Sequence, residues 1–85
     1  MAQQTFFVTM DDIKQGLREH CERCPIARAI SRQLGRRVLV EYRTVYLNLD
    51  GIEAAKEFLS EDVEAKIRVY DKTGDMEPFS FALDI

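Results

Sequence analysis

No window of this 85-residue chain approaches the about 18 consecutive apolar residues that a membrane helix requires. Met1 to Gln4 carry neither the basic flank nor the apolar stretch of a secretory signal. The expected location is therefore cytoplasmic, with no membrane partner. Glycine is scarce and scattered. Gly16, Gly35, Gly51 and Gly74 stand alone, so no glycine-rich loop offers itself to a phosphate. His20 is the lone histidine, and Cys21 and Cys24 are the only cysteines. With scattered carboxylates these are too few groups to assemble a nucleophile, a base and a metal in one pocket, so neither an enzyme nor a cofactor is expected. Repeats and low-complexity stretches are missing too.

What is present reads as one small globular domain over residues 1–85. A chain this short buries only about 60–65% of the surface its unfolded form exposes, which leaves homo-oligomerisation open as a source of stability. The net charge of −3 conceals a division. Between Lys14 and Arg43 eight Lys/Arg face three Glu, a net of +5, whereas the remainder holds four against twelve, a net of −8. Such a split predicts one basic and one acidic surface, able to steer partners.

Boundary signals divide the chain. Thr5 to Val8 is a β-prone run. Thr9 is the expected N-cap of a first helix from Met10 to about Glu19, with Asp12 completing a capping box and Ile13 and Leu17 on its inner face. Pro25 suits the first position of a second helix that Gly35 stops, with Ile26, Ile30 and Leu34 inward and Arg28 and Arg32 outward. Alternation predicts strands over Arg37 to Tyr42 and Val45 to Leu49. They form a hairpin or one long bent strand, because Arg43-Thr44 is poor turn chemistry.

Asp50 with Glu53 resembles another capping box, so Ile52, Ala55, Phe58 and Leu59 are expected on a short amphipathic helix. Residues 61–72 fit both periods. Ser60 as cap, Glu61 and Asp62 in the first turn, and Gly74 beyond the end favour helix. After Pro78 a final strand places Phe79, Phe81 and Leu83 on one face. The expected fold class is α+β: a four-stranded, mostly antiparallel sheet packed with helices in the order β-α-α-β-β-α-α-β.

Site chemistry has one local candidate, His20-Cys21-Glu22-Arg23-Cys24-Pro25. Two thiolates and an imidazole could supply three zinc ligands, but no fourth is in view. A thiol at a helix N-terminus favours thiolate, yet a redox motif of the thioredoxin kind follows a strand and this one follows a helix. The third reading makes Cys24, and in its wider form Cys21 too, a small apolar residue packed in the bend between two helices, and it is the one expected. No metal site is assigned, and a disulfide between the two remains an open alternative.

Around this motif the chain resembles a widespread group of small phage and prophage proteins. The resemblance rests on Val8-Thr9, Asp12-Ile13 and Gly16. It continues through Cys21-Glu22-Arg23-Cys24-Pro25-Ile26-Ala27-Arg28-Ala29-Ile30, then Tyr70-Asp71 and Pro78-Phe79-Ser80-Phe81-Ala82-Leu83. It covers both ends and leaves a divergent middle from Arg36 to Ser60. The group brings no catalytic residues to carry over. It implies a phage-type accessory protein that binds a host protein or complex and inhibits or redirects it, as anti-defence inhibitors do.

The acidic residues expected to make that contact are Asp50, Glu53, Glu57, Glu61, Asp62 and Glu64, facing a basic, nucleic-acid-binding cleft of the target. The alternative is capture of a phosphate-bearing ligand, a nucleotide or nucleic acid, by Arg28, Arg32, Arg36 and Arg37. No aromatic platform is interleaved among these arginines, which counts against it.

Overall fold

The computed structural model describes residues 3–41, 43–47 and 55–84. Its elements are β1 (Gln3–Val8), α1 (Met10–Gln15), α2 (Pro25–Leu34), β2 (Leu39–Glu41), β3 (Thr44–Leu47), β4 (Ala55–Phe58), α3 (Glu61–Thr73) and β5 (Phe79–Asp84). The class is α+β. Instead of a single four-stranded sheet, the strands form two antiparallel sheets, β1-β5 and β2-β3-β4.

The helix boundaries follow from local chemistry. Thr9 Oγ1 accepts the Asp12 N–H at 3.2 Å, and Asp12 Oδ2 accepts the Thr9 N–H at 3.0 Å, closing the capping box that starts α1. This helix stops four residues short of the expected Glu19. Gly16 is extended, and a Cβ there would lie 2.8 Å from the Asp12 carbonyl oxygen and 2.9 Å from the Pro25 ring. The chain turns where the proline packs. Leu17 consequently leaves the inner face it was expected to share with Ile13 and is largely exposed. Helix α2 has its expected bounds, with Cys24 as N-cap and Gly35 left-handed at φ 70°. Residues 61–73 are helical: Ser60 Oγ accepts the Val63 N–H, Gly74 closes the end at φ 79°, and Val63, Ile67 and Tyr70 face inward.

The expected helix over the segment ending at Leu59 is overturned where it is described. Residues Ala55–Phe58 form β4, paired with β3 in the register Thr44↔Phe58 to Leu47↔Ala55. Phe58, assigned to a buried helical face, is 67% exposed, while adjacent Leu59 is buried. Such a neighbouring contrast belongs to alternating strand geometry. Asp50, Ile52 and Glu53 lie outside the described residues. The order is therefore β-α-α-β-β-β-α-β. Strands β2 and β3 do form a hairpin, with Glu41 opposite Thr44 in the pairing.

One core joins the two sheets. Phe6 of β1 and Phe81 of β5 stack with ring centroids 5.7 Å apart, and Ile26, Ile30, Val38, Val45 and Leu59 are fully buried around them. Helix α2 also closes one edge of the β1-β5 sheet. Gln33 Oε1 accepts the Phe7 N–H at 3.1 Å, while the Phe7 carbonyl accepts from Gln33 Nε2 at 3.0 Å and Arg32 Nη2 at 3.1 Å. Side chains thereby satisfy backbone groups that would otherwise invite another strand. No described helix is long and apolar enough to cross a membrane.

Candidate functional site

The Cys-x-x-Cys bend lines a groove of about 690 Å³ between residues 19–24, β2 and α3. Its two thiols differ. Cys21 is exposed, whereas Cys24 is buried with its Sγ accepting the Ala27 N–H at 3.4 Å. Burial pushes the Cys24 thiol up from an ordinary 9.0 to about 11, outweighing the Ala27 and Ile26 N–H groups that favour thiolate. A thiol held protonated at neutral pH is a poor nucleophile and a poor metal ligand. His20 Nδ1 accepts the Glu22 N–H at 3.3 Å. Among the described residues, no three His, Cys, Asp or Glu side chains converge in a way that could hold a metal ion.

Side chains from distant parts of the chain hold this bend. The Tyr70 hydroxyl donates to the carbonyls of Ile13 at 3.3 Å and Gly16 at 3.0 Å. Asp71 Oδ1 accepts the Glu19 N–H at 2.9 Å and pins that residue at φ 55°, a conformation uncommon for a non-glycine residue. The Asp71 carbonyl accepts two hydrogen bonds from Arg18, which thus caps the C-terminal end of α3. On the far side, the Cys21 carbonyl accepts the Val40 N–H at 2.8 Å and anchors β2.

The arginine stripe is broken up. Gly35 ends α2, so Arg36 lies beyond the helix and only Arg28 and Arg32 keep the four-residue spacing. Arg32 binds Asp12 with Nη2 to Oδ2 at 2.9 Å. Burial raises the Asp12 pKa, but the hydrogen bonds from Arg32 and Thr9 outweigh it and hold the carboxyl below its ordinary 3.8. Arg37 grips Glu22 through both carboxylate oxygens, at 2.9 and 2.7 Å. Arg36 has an interaction of its own. Arg28 differs, because its Nε is buried without a hydrogen-bond partner.

The acidic residues are placed otherwise. Glu61 and Asp62 are exposed in the first turn of α3, and no ion pair to either occurs among the described residues. Glu64, one turn on, lies 3.5 Å from Arg68 in a loose i, i+4 pair. Glu57 is partly buried on β4 opposite Val45. Glu53 and Asp50 lie outside the described residues. Sequence reasoning missed Asp75 and Glu77, which flank Met76 in the segment before Pro78 and extend the negative surface beside α3. Two acids around a methionine, between a helix stop and a strand start, were the available signal. The chain matches no known protein-family profile, no curated protein and no solved structure.

Proposed function

We propose that this protein is a non-catalytic, phage-type accessory protein that binds a basic surface of a host macromolecule and inhibits or redirects it by occupancy. One observation carries the reading. Two cations of the basic segment are drawn into internal pairs, Arg32 of α2 with Asp12 and Arg37 beyond the helix with Glu22, while Glu61 and Asp62 face solvent. A charge already paired within the chain has little left to offer a partner, and an exposed carboxylate has most of its field. The protonated Cys24 thiol also supports a non-catalytic role for the bend.

Phosphate capture is the second reading, favoured by the buried Nε of Arg28. It would have to draw on a guanidinium set that the fold has otherwise dispersed.

Capture from host lysate by the tagged protein tests the proposal, with a variant carrying Glu57→Lys, Glu61→Lys and Glu64→Lys run beside it. A stoichiometric complex that the variant forms about tenfold more slowly is expected, since complementary charge acts mainly on encounter. Equal capture by both proteins, or one molecule inactivating many targets, would overturn it.

A further inference from the structure

Beside the acidic first turn of α3 lies a second groove, of about 480 Å³, between the helix and the segment leading to Pro78. Ala65, Val69 and Met76 give it an apolar floor, and Val69 is 52% exposed although it is a large aliphatic residue on an otherwise amphipathic helix. Asp62, Asp75 and Glu77 stand around that floor. None of the three is in an ion pair among the described residues. Lys66, which also lines the groove, holds its ammonium over the Phe79 ring at 5.1 Å from the centroid and offsets one of the three, so the lining keeps a net charge of −2. An exposed apolar strip with a net negative charge around it is complementary to one kind of chain, which is apolar along one stripe and positive beside it. A nucleic acid has the wrong sign.

We propose that this groove docks a cationic amphipathic segment of a partner protein, its apolar side chains on Ala65, Val69 and Met76 and its Lys or Arg toward Asp62, Asp75 and Glu77. The assignment rests on the acidic-surface reading above and narrows it to one groove and one partner chemistry. Desolvation of the apolar floor holds the complex together, and the carboxylates speed encounter and orient the segment.

The test uses the full chain and a short amphipathic peptide built from lysine and leucine alone, titrated under NMR observation at low and raised salt. Expected are amide shifts over residues 62–69 and 75–77, with affinity falling as salt rises. Asp75→Lys with Glu77→Lys should weaken binding by about tenfold or more, and Val69→Ser by about threefold at unchanged charge. All three positions are exposed, so these variants should keep the fold, which thermal melting verifies. Glu61→Lys with Glu64→Lys, which lie off the groove, should slow association without moving the amide shifts away from residues 62–69 and 75–77.

Absence of peptide binding, shifts confined to residues 57–61, or indifference to Val69→Ser would each overturn the proposal, the last by reducing it to adsorption on bare charge. So would concentration-dependent dimerisation abolished by Asp75→Lys with Glu77→Lys, which would make a second copy the occupant. Failure here with the lysate result intact sinks the groove and leaves the acidic surface. Peptide binding at the groove with equal lysate capture by the Glu57, Glu61 and Glu64 variant does the reverse.

Discussion

Helices α2 and α3 are both amphipathic and both carry a charged outer face, yet the fold uses those faces in opposite ways. On α2, Arg32 and Gln33 reach back to Asp12 and to both backbone groups of Phe7, joining three elements. On α3, Asp71 near the end reaches the Glu19 N–H and Lys66 lies over Phe79, but among the described residues the acids of the first turn form one ion pair, the loose 3.5 Å contact of Glu64 with Arg68. A count of charges along a helix therefore does not say what those charges are free to do. What decides it is whether an opposite group from a distant part of the chain is brought within reach.

The largest expected effect breaks that contrast on the α2 side. Arg32→Met should cost about 2–3 kcal/mol of stability, because it strands the carboxylate of Asp12, whose side chain is only 2% exposed, without its cation. The matched Arg68→Met on α3 should cost less than about 0.5 kcal/mol, since its side chain is 71% exposed. Urea denaturation of the two variants measures both. The pH profile gives an independent reading. Asp12 sits below 3.8 in the folded protein, so its contribution is present above that value and is lost as pH falls through the folded pKa. In Arg32→Met the acid limb should move to higher pH. Equal losses for the two variants would remove the distinction between the helices.

How much of this was legible depends on the distance over which the information is stored. The α2 bounds at Pro25 and Gly35, the Thr9-Asp12 box and the Ser60 cap are settled within about four residues, and the sequence states them openly. Strand β4 is not of that kind. Its four residues are too few to show alternation, and the neighbouring Asp50 and Glu53, outside the described residues, read in the sequence as a helix start. Pairing with β3 supplies what makes it a strand. The division into two sheets likewise follows from β1 meeting β5 at the other end of the chain. For the candidate surfaces the same limit applies. Acids near the start of α3 could be read directly, whereas the Asp12–Arg32 link spans 20 residues and became visible only in three dimensions.

A middle-sized effect compares the interior behind α2 with its surface. The Cys24 pKa is raised to about 11 from 9.0, so the folded state keeps a proton that the unfolded chain releases above pH 9. Stability from this group is complete below pH 9 and is lost as pH rises toward about 11, on the order of 1–1.5 kcal/mol by pH 10. Tyr70, raised chiefly by burial, acts in the same direction. Thermal melts between pH 8 and 10 should show the decline, and Cys24→Ala should flatten the part due to the thiol while lowering stability throughout. A profile unchanged by that substitution would mean that the thiol is not held protonated, and the bend would regain a claim to chemistry.

The smallest effect bears most directly on function. Glu64→Gln should change stability by only about 0.3 kcal/mol, the usual value of an exposed i, i+4 pair on a helix, in a double-mutant cycle with Arg68→Met. A coupling that small means Glu64 is not engaged in holding the molecule together, and its charge is available to a partner. A coupling of about 1.5 kcal/mol or more would be the size expected of a charge-assisted, committed pair. In that event α3 would resemble α2, its acids would be serving the fold, and the argument for an acidic docking surface would rest on Asp62, Asp75 and Glu77 alone. Salt separates the two outcomes further. The weak pair should fade as ionic strength rises, because the Arg68 side chain is 71% exposed and Glu64 only partly buried, whereas the Arg32–Asp12 link, with its carboxylate buried, should persist.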